Sequence, residues 1–252
     1  MYFSIIIKGI KIMSLQLKII LAIVAVLIVL LAIVLSSRKR IRKVYKRYMG
    51  VGNQANLTGS QFASIAIEQL DLDISLAVTD GELTDAYSPK QKTLIMSRDV
   101  CNNASLSSLT IVAHELGHAL QQKKNDPMFN LSQIIGRINR FISKLFVPVL
   151  LAGIVAIFFS MNAGLTLLWT ALGIFLFNIF DKIITIPVEY NASHRGLWYL
   201  KEYHYLSHNE YGKAKKLLNI AAQTYIASLF DGIIIFGNKL NRLFSKSKTR
   251  RK

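Results

Sequence analysis

The chain has 252 residues, of which 52% are hydrophobic, and a formal net charge of +17. This length allows one or two domains, and the high apolar content calls for a search for long apolar runs. Cys101 is the only cysteine, so the sequence excludes an intramolecular disulfide and a zinc site built from cysteines.

The first uncharged apolar run occupies residues 19–35. Its length is close to the roughly 18 residues that indicate a membrane span, and it is longer than the apolar core of a cleavable signal peptide. Two serines and a basic cluster follow it, without a small-residue cleavage site. We therefore predict that residues 1–37 contain a retained anchor. Residues 1–13 are interpreted as a short extension, because a more ordinary anchor sequence begins at Met13.

The basic cluster directly after this run predicts the orientation of the chain. It consists of Arg38, Lys39, Arg40, Arg42, Lys43, Lys46 and Arg47. Basic residues beside a span favour the cytoplasmic side of the membrane. Because the cluster lies next to a membrane, anionic lipid head groups are its expected partner, and nucleic acid is not.

Residues 38–144 are more polar and have the pattern of a small α+β unit. Apolar residues at helical spacing predict helices over residues 61–70 and 105–122, and serines at the start of the second helix can cap it. Runs of β-favouring residues predict short strands at 76–78 and 93–96.

A second uncharged run covers residues 145–180. A single helix of this length would measure about 54 Å, whereas the hydrocarbon core of a bilayer is about 30 Å thick. The segment Ser-Met-Asn-Ala-Gly at 160–164 has the composition of a turn. We therefore predict a hairpin of two spans over residues 145–181, which returns the chain to the side that it left.

After the hairpin, Pro187 occupies a position where a helix could begin, and we predict a helix over residues 188–203. A further apolar stretch covers residues 220–236, but Asp231 interrupts it. Because a charge inside a span is costly, this stretch is either an interfacial helix, a helix packed on the others, or a span.

The chemistry is indicated by residues 114–118, which read His-Glu-Leu-Gly-His inside the predicted helix 105–122. Residues four apart share one helical face, so His114 and His118 can chelate one Zn²⁺ ion. Glu115 lies beside the first histidine and can reach a water on the metal, whose pKa the zinc lowers toward neutrality. We expect Glu115 to act as the general base.

A catalytic zinc site usually needs a third protein ligand. One zinc protease pattern places it as a histidine six residues after the second one, but Lys124 stands there. Glu189, just after the hairpin, is the candidate, and His194 is the rival. Two crossings of the bilayer would return Glu189 to the side of His118, in agreement with the hairpin.

At this point the sequence resembles the bacterial membrane-bound neutral zinc metallopeptidases of the YugP type. The resemblance extends from Thr58 to Leu243 and is carried by residues 58–59, 81–85, 112–121, 187–193 and 221–225. It implies a membrane-bound zincin, with two histidines and a later glutamate as zinc ligands. The chain departs from the family at residues 86–89, where Ala-Tyr-Ser-Pro replaces the usual His-Tyr-Asp-Pro.

Together these patterns predict a mainly α fold, in which membrane-embedded helices carry a small α+β zincin-like catalytic domain. We expect residues 1–37 to form the extension and anchor, 38–144 the zincin-like domain, 145–181 the hairpin, and 182–252 a helical region that supplies the third ligand. The protein is expected to be a multi-pass protein of the cell membrane, with its catalytic domain on the cytoplasmic face.

The expected activity is that of a zinc-dependent endopeptidase, with His114, His118 and Glu189 as metal ligands and Glu115 as the catalytic base. Its substrates would be peptides or proteins, including membrane proteins. One alternative is a non-catalytic zinc-binding scaffold or regulator, which would not need Glu115. Another is a transporter or structural protein with an accidental motif, although the spans lack the paired charges typical of transporters.

Three further side chains near the predicted site have open roles. Ser193 could hydrogen-bond a zinc ligand or lie at the surface. Arg195 and Tyr225 could stabilise a developing negative charge, although packing or lipid contact is the favoured interpretation for both.

Overall fold

The computed structural model describes residues 35–227, together with residues 25, 28, 29 and 32, and describes side chains as far as residue 222. Its elements in chain order are α1 (35–49), α2 (Gly59–Gln69), β1 (Ser75–Thr79), β2 (Ala86–Ser88), β3 (Thr93–Ser97), α3 (Arg98–Asn102), α4 (Leu106–Lys123), α5 (Pro127–Ala156), α6 (Met161–Glu202) and α7 (His208–Ala227). Most of the predicted anchor, the end of the apolar stretch 220–236 and the basic tail lie outside the described residues.

The three short strands form one sheet with β3 in its centre, in the order β1-β3-β2. Strand β1 runs parallel to β3, and β2 runs antiparallel to it, with Tyr87 opposite Leu94. The strands predicted at 76–78 and 93–96 are confirmed as β1 and β3. Strand β2 was not predicted, because three residues are too few to show the alternation of a strand.

Helix α4 forms where the sequence predicted it. The side chain of Ser105 accepts a hydrogen bond from the backbone N–H of Ser108, which caps the first turn. Leu109 and Leu116 of the predicted apolar stripe are fully or almost fully buried. The helix therefore presents its apolar face to the core and carries the two histidines on a neighbouring face.

The chain divides into two compact units, which we call the core unit and the apolar unit. Ser37–Arg137 and Asp181–Ile226 form the core unit, and the apolar unit includes Ile138–Phe180. The largest fully buried side chains of the core unit's hydrophobic cluster come from six elements, represented by Tyr45 (α1), Phe62 (α2), Leu94 (β3), Leu109 (α4), Leu200 (α6) and Leu217 (α7). The segment before the long apolar region thus completes its core with side chains that follow that region.

Helices α5 and α6 contain the long uncharged run, and the break between them lies at residues 157–160, slightly before the predicted turn. Both are long and apolar enough to cross a membrane. The described chain is therefore mainly helical with a small sheet and two candidate membrane spans, as the sequence predicted.

The prediction that a new helix begins at Pro187 is wrong, because α6 continues through this residue to Glu202. A proline inside a helix removes one backbone hydrogen bond, whereas two separate helix ends would leave several backbone groups without partners. Helix α5 also begins earlier than the sequence indicated, at Pro127, where Asp126 accepts hydrogen bonds from the backbone of Met128 and Phe129.

Candidate metal centre

Helices α4 and α6 approach each other closely at two glycines, and this approach builds the site. A Cβ atom on Gly117 would lie 2.3 Å from the carbonyl oxygen of Ala192, and one on Gly196 would lie 2.4 Å from that of Ala113. Each glycine therefore packs against the backbone of the other helix, at the residue four positions before the glycine of that helix. Such backbone contact requires residues without a side chain, and it brings Glu189 of α6 to the histidines of α4.

The side chains of His114, His118 and Glu189 converge inside the core unit. The Oε2 atom of Glu189 is 3.2 Å from Nε2 of His114 and 3.4 Å from Nε2 of His118. The other ring nitrogens are also engaged: Nδ1 of His114 lies 3.0 Å from Oγ of Ser193, and Nδ1 of His118 lies 2.9 Å from Oε1 of Gln121. Both imidazoles thus direct Nε2 toward the same carboxylate oxygen.

This arrangement fits a zinc ion. Ligand atoms that lie about 2.0–2.1 Å from a tetrahedral zinc are about 3.3 Å apart, which agrees with the two distances to Glu189. The candidate ligand atoms of the three residues all lie within 4.8 Å of one another. Glu189 is buried, and its Oε2 atom has no partner with acceptable hydrogen-bond geometry. Two imidazoles and one carboxylate are a ligand set typical of catalytic zinc, so these residues could hold it.

The electrostatics of the site favour a cation. Burial lowers the pKa of His118, but the close contact with Glu189 and its negative charge outweigh this effect, and the charge of Glu115 raises the pKa further. The result is a pKa raised from 6.5 to about 9. The metal-free site therefore retains a proton beside Glu189, which a bound cation must displace.

Glu115 lies on α4 next to His114 but is not part of the cluster of three candidate ligands. Its Oε2 atom accepts a 2.8 Å hydrogen bond from the backbone N–H of Tyr87 in β2. The contact uses the backbone of Tyr87, so it does not depend on the neighbouring side chains at positions 86 and 88. An unpredicted strand thus orients the predicted base.

Side-chain hydrogen bonds connect strand β2 and the residue before it to β3 and to α4. Asp85, directly before it, accepts hydrogen bonds from the backbone N–H and the hydroxyl of Ser97 at the end of β3. The hydroxyl of Tyr87 donates to Oε1 of Gln122 on α4 at 2.7 Å. Burial raises the pKa of the Asp85 carboxyl despite the bonds from Ser97, and the charge of Glu115 adds to the rise.

The remaining histidines and the other side chains considered above lie elsewhere or are already bonded. His194, His204 and His208 are exposed, and the cluster found in the described residues includes none of them. Arg195 donates to Oδ1 of Asn191 and pairs with Asp126. The side chain of Tyr225 lies outside the described residues.

Comparison with known proteins now identifies the family. A family model described as "Putative neutral zinc metallopeptidase" matches residues 21–240. The chain belongs to this family. It is also 31% identical over 199 residues to "Putative membrane protease YugP" of Bacillus subtilis (strain 168), a match that covers 76% of this chain and 85% of the relative. No solved structure matches the chain.

Membership in the neutral zinc metallopeptidase family agrees with the site. The family description names zinc, and His114, His118 and Glu189 could bind a metal ion. The relative is named as a membrane protease, and two apolar helices of this chain indicate association with a membrane. Sequence reasoning overlooked two contributors to the site, the backbone of Tyr87 and the side chain of Gln121. The available sequence signal for the second was its place in the motif at 112–121, three residues after His118.

Proposed function

We propose that this member of the neutral zinc metallopeptidase family is a membrane-bound endopeptidase, which hydrolyses peptide bonds in protein substrates, including membrane proteins. The observation that carries the proposal is the orientation of Glu115. A carboxylate that is not needed as a ligand lies beside a cluster of two histidines and a glutamate, and the backbone amide of Tyr87 holds it in place. A metal site with a purely structural role would not require this arrangement.

The proposed chemistry divides between the metal and the chain. A zinc ion held by His114, His118 and Glu189 would supply Lewis acidity, which makes water acidic enough to lose a proton near neutral pH. Glu115 accepts that proton and later returns it to the leaving amine, as a general base and then a general acid. The N–H of Tyr87 donates a hydrogen bond to this carboxylate and restricts its rotation, so that the base keeps one orientation.

The decisive experiment separates metal binding from proteolysis in the purified, detergent-solubilised protein. The Glu115→Gln variant should keep its zinc but lose about 10²- to 10⁴-fold in peptide cleavage, the usual contribution of a general base. The His118→Ala variant should lose both zinc and cleavage. The matched control is Glu68→Gln, an exposed glutamate on α2, which should change neither. Full cleavage by Glu115→Gln would contradict the mechanism. A zinc-bound parent without any peptidase activity would favour a scaffold or regulator instead.

The membrane part of the proposal rests on the exposed apolar surfaces of α5 and α6. In the most apolar 18-residue segment of each helix, only 11% (α5) and 17% (α6) is buried inside the protein. One row of exposed apolar side chains on α5 begins in its first turn and comprises Met128, Leu131, Ile134, Ile138 and Phe141. Their spacing of three or four residues gives one continuous apolar face, which lipid would cover.

We further propose a multi-pass topology with the metal centre on the cytoplasmic side. The basic residues of α1 support this side, and anionic head groups are their proposed partner, although Arg42 and Lys46 also pair with Glu82. Because Nε2 of His118 lies 3.4 Å from Glu189, the chain between them must return to the side that it leaves. Crossings by α5 and α6 satisfy this condition.

The topology can be tested with single cysteines in a Cys101→Ser background and a membrane-impermeant maleimide. In intact cells, a cysteine at Asn162, which is exposed at the start of α6, should react. A cysteine at Lys90, exposed between β2 and β3, should react only after the membrane has been opened. The opposite labelling pattern would reverse the proposed orientation.

A further inference from the structure

Gln121 is a buried amide in the wall of the metal centre. Its exposed fraction is 0%, although it belongs to the last part of α4. Burying a primary amide is costly unless its donors and its acceptor all find partners. Here Oε1 lies 2.9 Å from Nδ1 of His118, while Nε2 donates to the carbonyl oxygen of Val188 at 2.8 Å and to Oδ1 of Asn191 at 3.0 Å.

The contact with Val188 fixes which way the amide of Gln121 is oriented. A backbone carbonyl can only accept a hydrogen bond, so the NH₂ group of the amide must face it. The carbonyl end of Gln121 must then face His118, and it too can only accept. His118 is therefore required to carry a proton on Nδ1, which leaves Nε2, the atom directed at Glu189, to bind a metal ion.

The other histidine, His114, lacks an equivalent constraint. Nδ1 of His114 faces the hydroxyl of Ser193 at 3.0 Å, and a hydroxyl can either donate or accept. Ser193 therefore tolerates a proton on either nitrogen of His114, whereas Gln121 tolerates only one arrangement at His118.

Gln121 also links the two helices that supply the ligands. Val188, to which it donates, is the residue directly before Glu189. Its other acceptor, Asn191, is bonded to Arg195, which pairs with Asp126 at the start of α5. Gln121 thus controls the orientation of His118 and is anchored directly beside Glu189. The bond between Asn191 and Arg195 and the pairing of Arg195 with Asp126 support it.

We propose that Gln121 is a positioning residue of the metal centre: it holds His118 with Nε2 available to the metal and ties this ligand to the segment that carries Glu189. Asn191 is its second anchor. The inference rests on the proposed zinc site, but it concerns metal affinity and geometry rather than proteolysis.

The test compares zinc affinity, measured by chelator competition, with the visible absorption spectrum of the Co²⁺-substituted protein and with the thermal unfolding of the metal-free protein. Gln121→Met keeps the size of the side chain but removes all three contacts. We expect its zinc affinity to fall about 10- to 100-fold, the usual cost of losing an outer partner of a ligand, and its Co²⁺ spectrum to change. Ser193→Ala should lower the affinity less. The control Gln69→Met removes an amide that bonds Tyr199 elsewhere in the core unit and should leave both metal readouts unchanged.

The outcomes separate this inference from the proposed function. Failure of the parent to bind zinc would overturn the metal centre itself. A folded Gln121→Met variant with parental zinc affinity and Co²⁺ spectrum would overturn the inference alone, because a merely structural glutamine would alter only the stability of the metal-free protein. If Gln121→Met does not fold, the same measurements are made on Asn191→Ala. This substitution at an exposed residue removes one anchor of Gln121. A several-fold loss of zinc affinity supports the inference, and parental affinity overturns it.

Discussion

A single methyl group at Gly117 should separate the two helices that supply the metal ligands. The Cβ atom of Gly117→Ala would lie 2.3 Å from the carbonyl oxygen of Ala192, whereas ordinary contacts of a Cβ atom begin at 3.4 Å. The obstacle is backbone rather than a flexible side chain, so α6 must move by the difference, about 1.1 Å. Zinc sites tolerate deviations of only about 0.2 Å in ligand distance.

Glu189 lies three residues before Ala192 on α6 and would move with it. Loss of a residue that hydrogen-bonds a metal ligand lowers metal affinity about 10- to 100-fold. We expect Gly117→Ala to lower zinc affinity by more than this, because it displaces a ligand itself. Overpacking should also destabilise the metal-free protein by about 1–3 kcal/mol, reduced by the about 0.5–1 kcal/mol that alanine gains over glycine in a helix. Gly196→Ala, whose Cβ atom would lie 2.4 Å from the backbone oxygen of Ala113, should behave in the same way.

The assay is chelator-competition zinc titration, combined with denaturant unfolding of the metal-free protein. Gly212→Ala in α7 is the matched control, because a Cβ atom there would meet nothing within 4 Å. It should keep parental zinc affinity and gain about 0.5–1 kcal/mol in stability. A folded Gly117→Ala protein that binds zinc as tightly as the parent would refute the role given to the helix crossing.

Three further predictions follow from the geometry of the site. Glu189→Ala should lower zinc affinity sharply in equilibrium titration, while His194→Ala should leave it almost unchanged; the reverse ranking would assign the third ligand to His194. Because the pKa of His118 is raised from 6.5 to about 9 in the metal-free protein, zinc must displace its proton, so apparent zinc affinity should rise about tenfold per pH unit between these values. The same shift stabilises the metal-free fold fully below pH 6.5 and progressively less as the pH rises to about 9, which thermal unfolding across this range can check; a flat profile in both measurements would exclude the proton. Tyr87→Phe removes the hydroxyl bond to Gln122 but keeps the N–H to Glu115, so it should cost about 0.5–1.5 kcal/mol in denaturant unfolding without lowering peptide cleavage.

The elements that the sequence predicted correctly are those specified by neighbouring residues. Helix α4 needs only its serine cap and the 3.6-residue spacing of its apolar side chains, and the positions of His114 and His118 on one face follow from the same geometry. Strands β1 and β3 are short but rich in β-favouring residues. The break between α5 and α6 follows from a run that is too long for one crossing.

The sequence signals failed where local and long-range effects compete. Proline is a frequent first residue of helices, yet α6 continues through Pro187. Its neighbours on both sides remain helical, and only one backbone hydrogen bond is lost. The three residues of β2 have little strand signal of their own, and they become a strand through pairing with β3.

By itself, the sequence determined the pair of histidines, the glutamate between them, the apolar runs and the family resemblance, because each depends on residues that are close along the chain or on the order of motifs. Only the tertiary structure decided how Glu189 reaches the histidines, since this depends on two glycines, Gly117 and Gly196, on different helices. The same holds for the amide of Tyr87 that orients Glu115 and for Gln121 behind His118. The physical reason is that these contacts are set by the packing of backbones far apart in sequence, which no spacing along one helix or strand encodes.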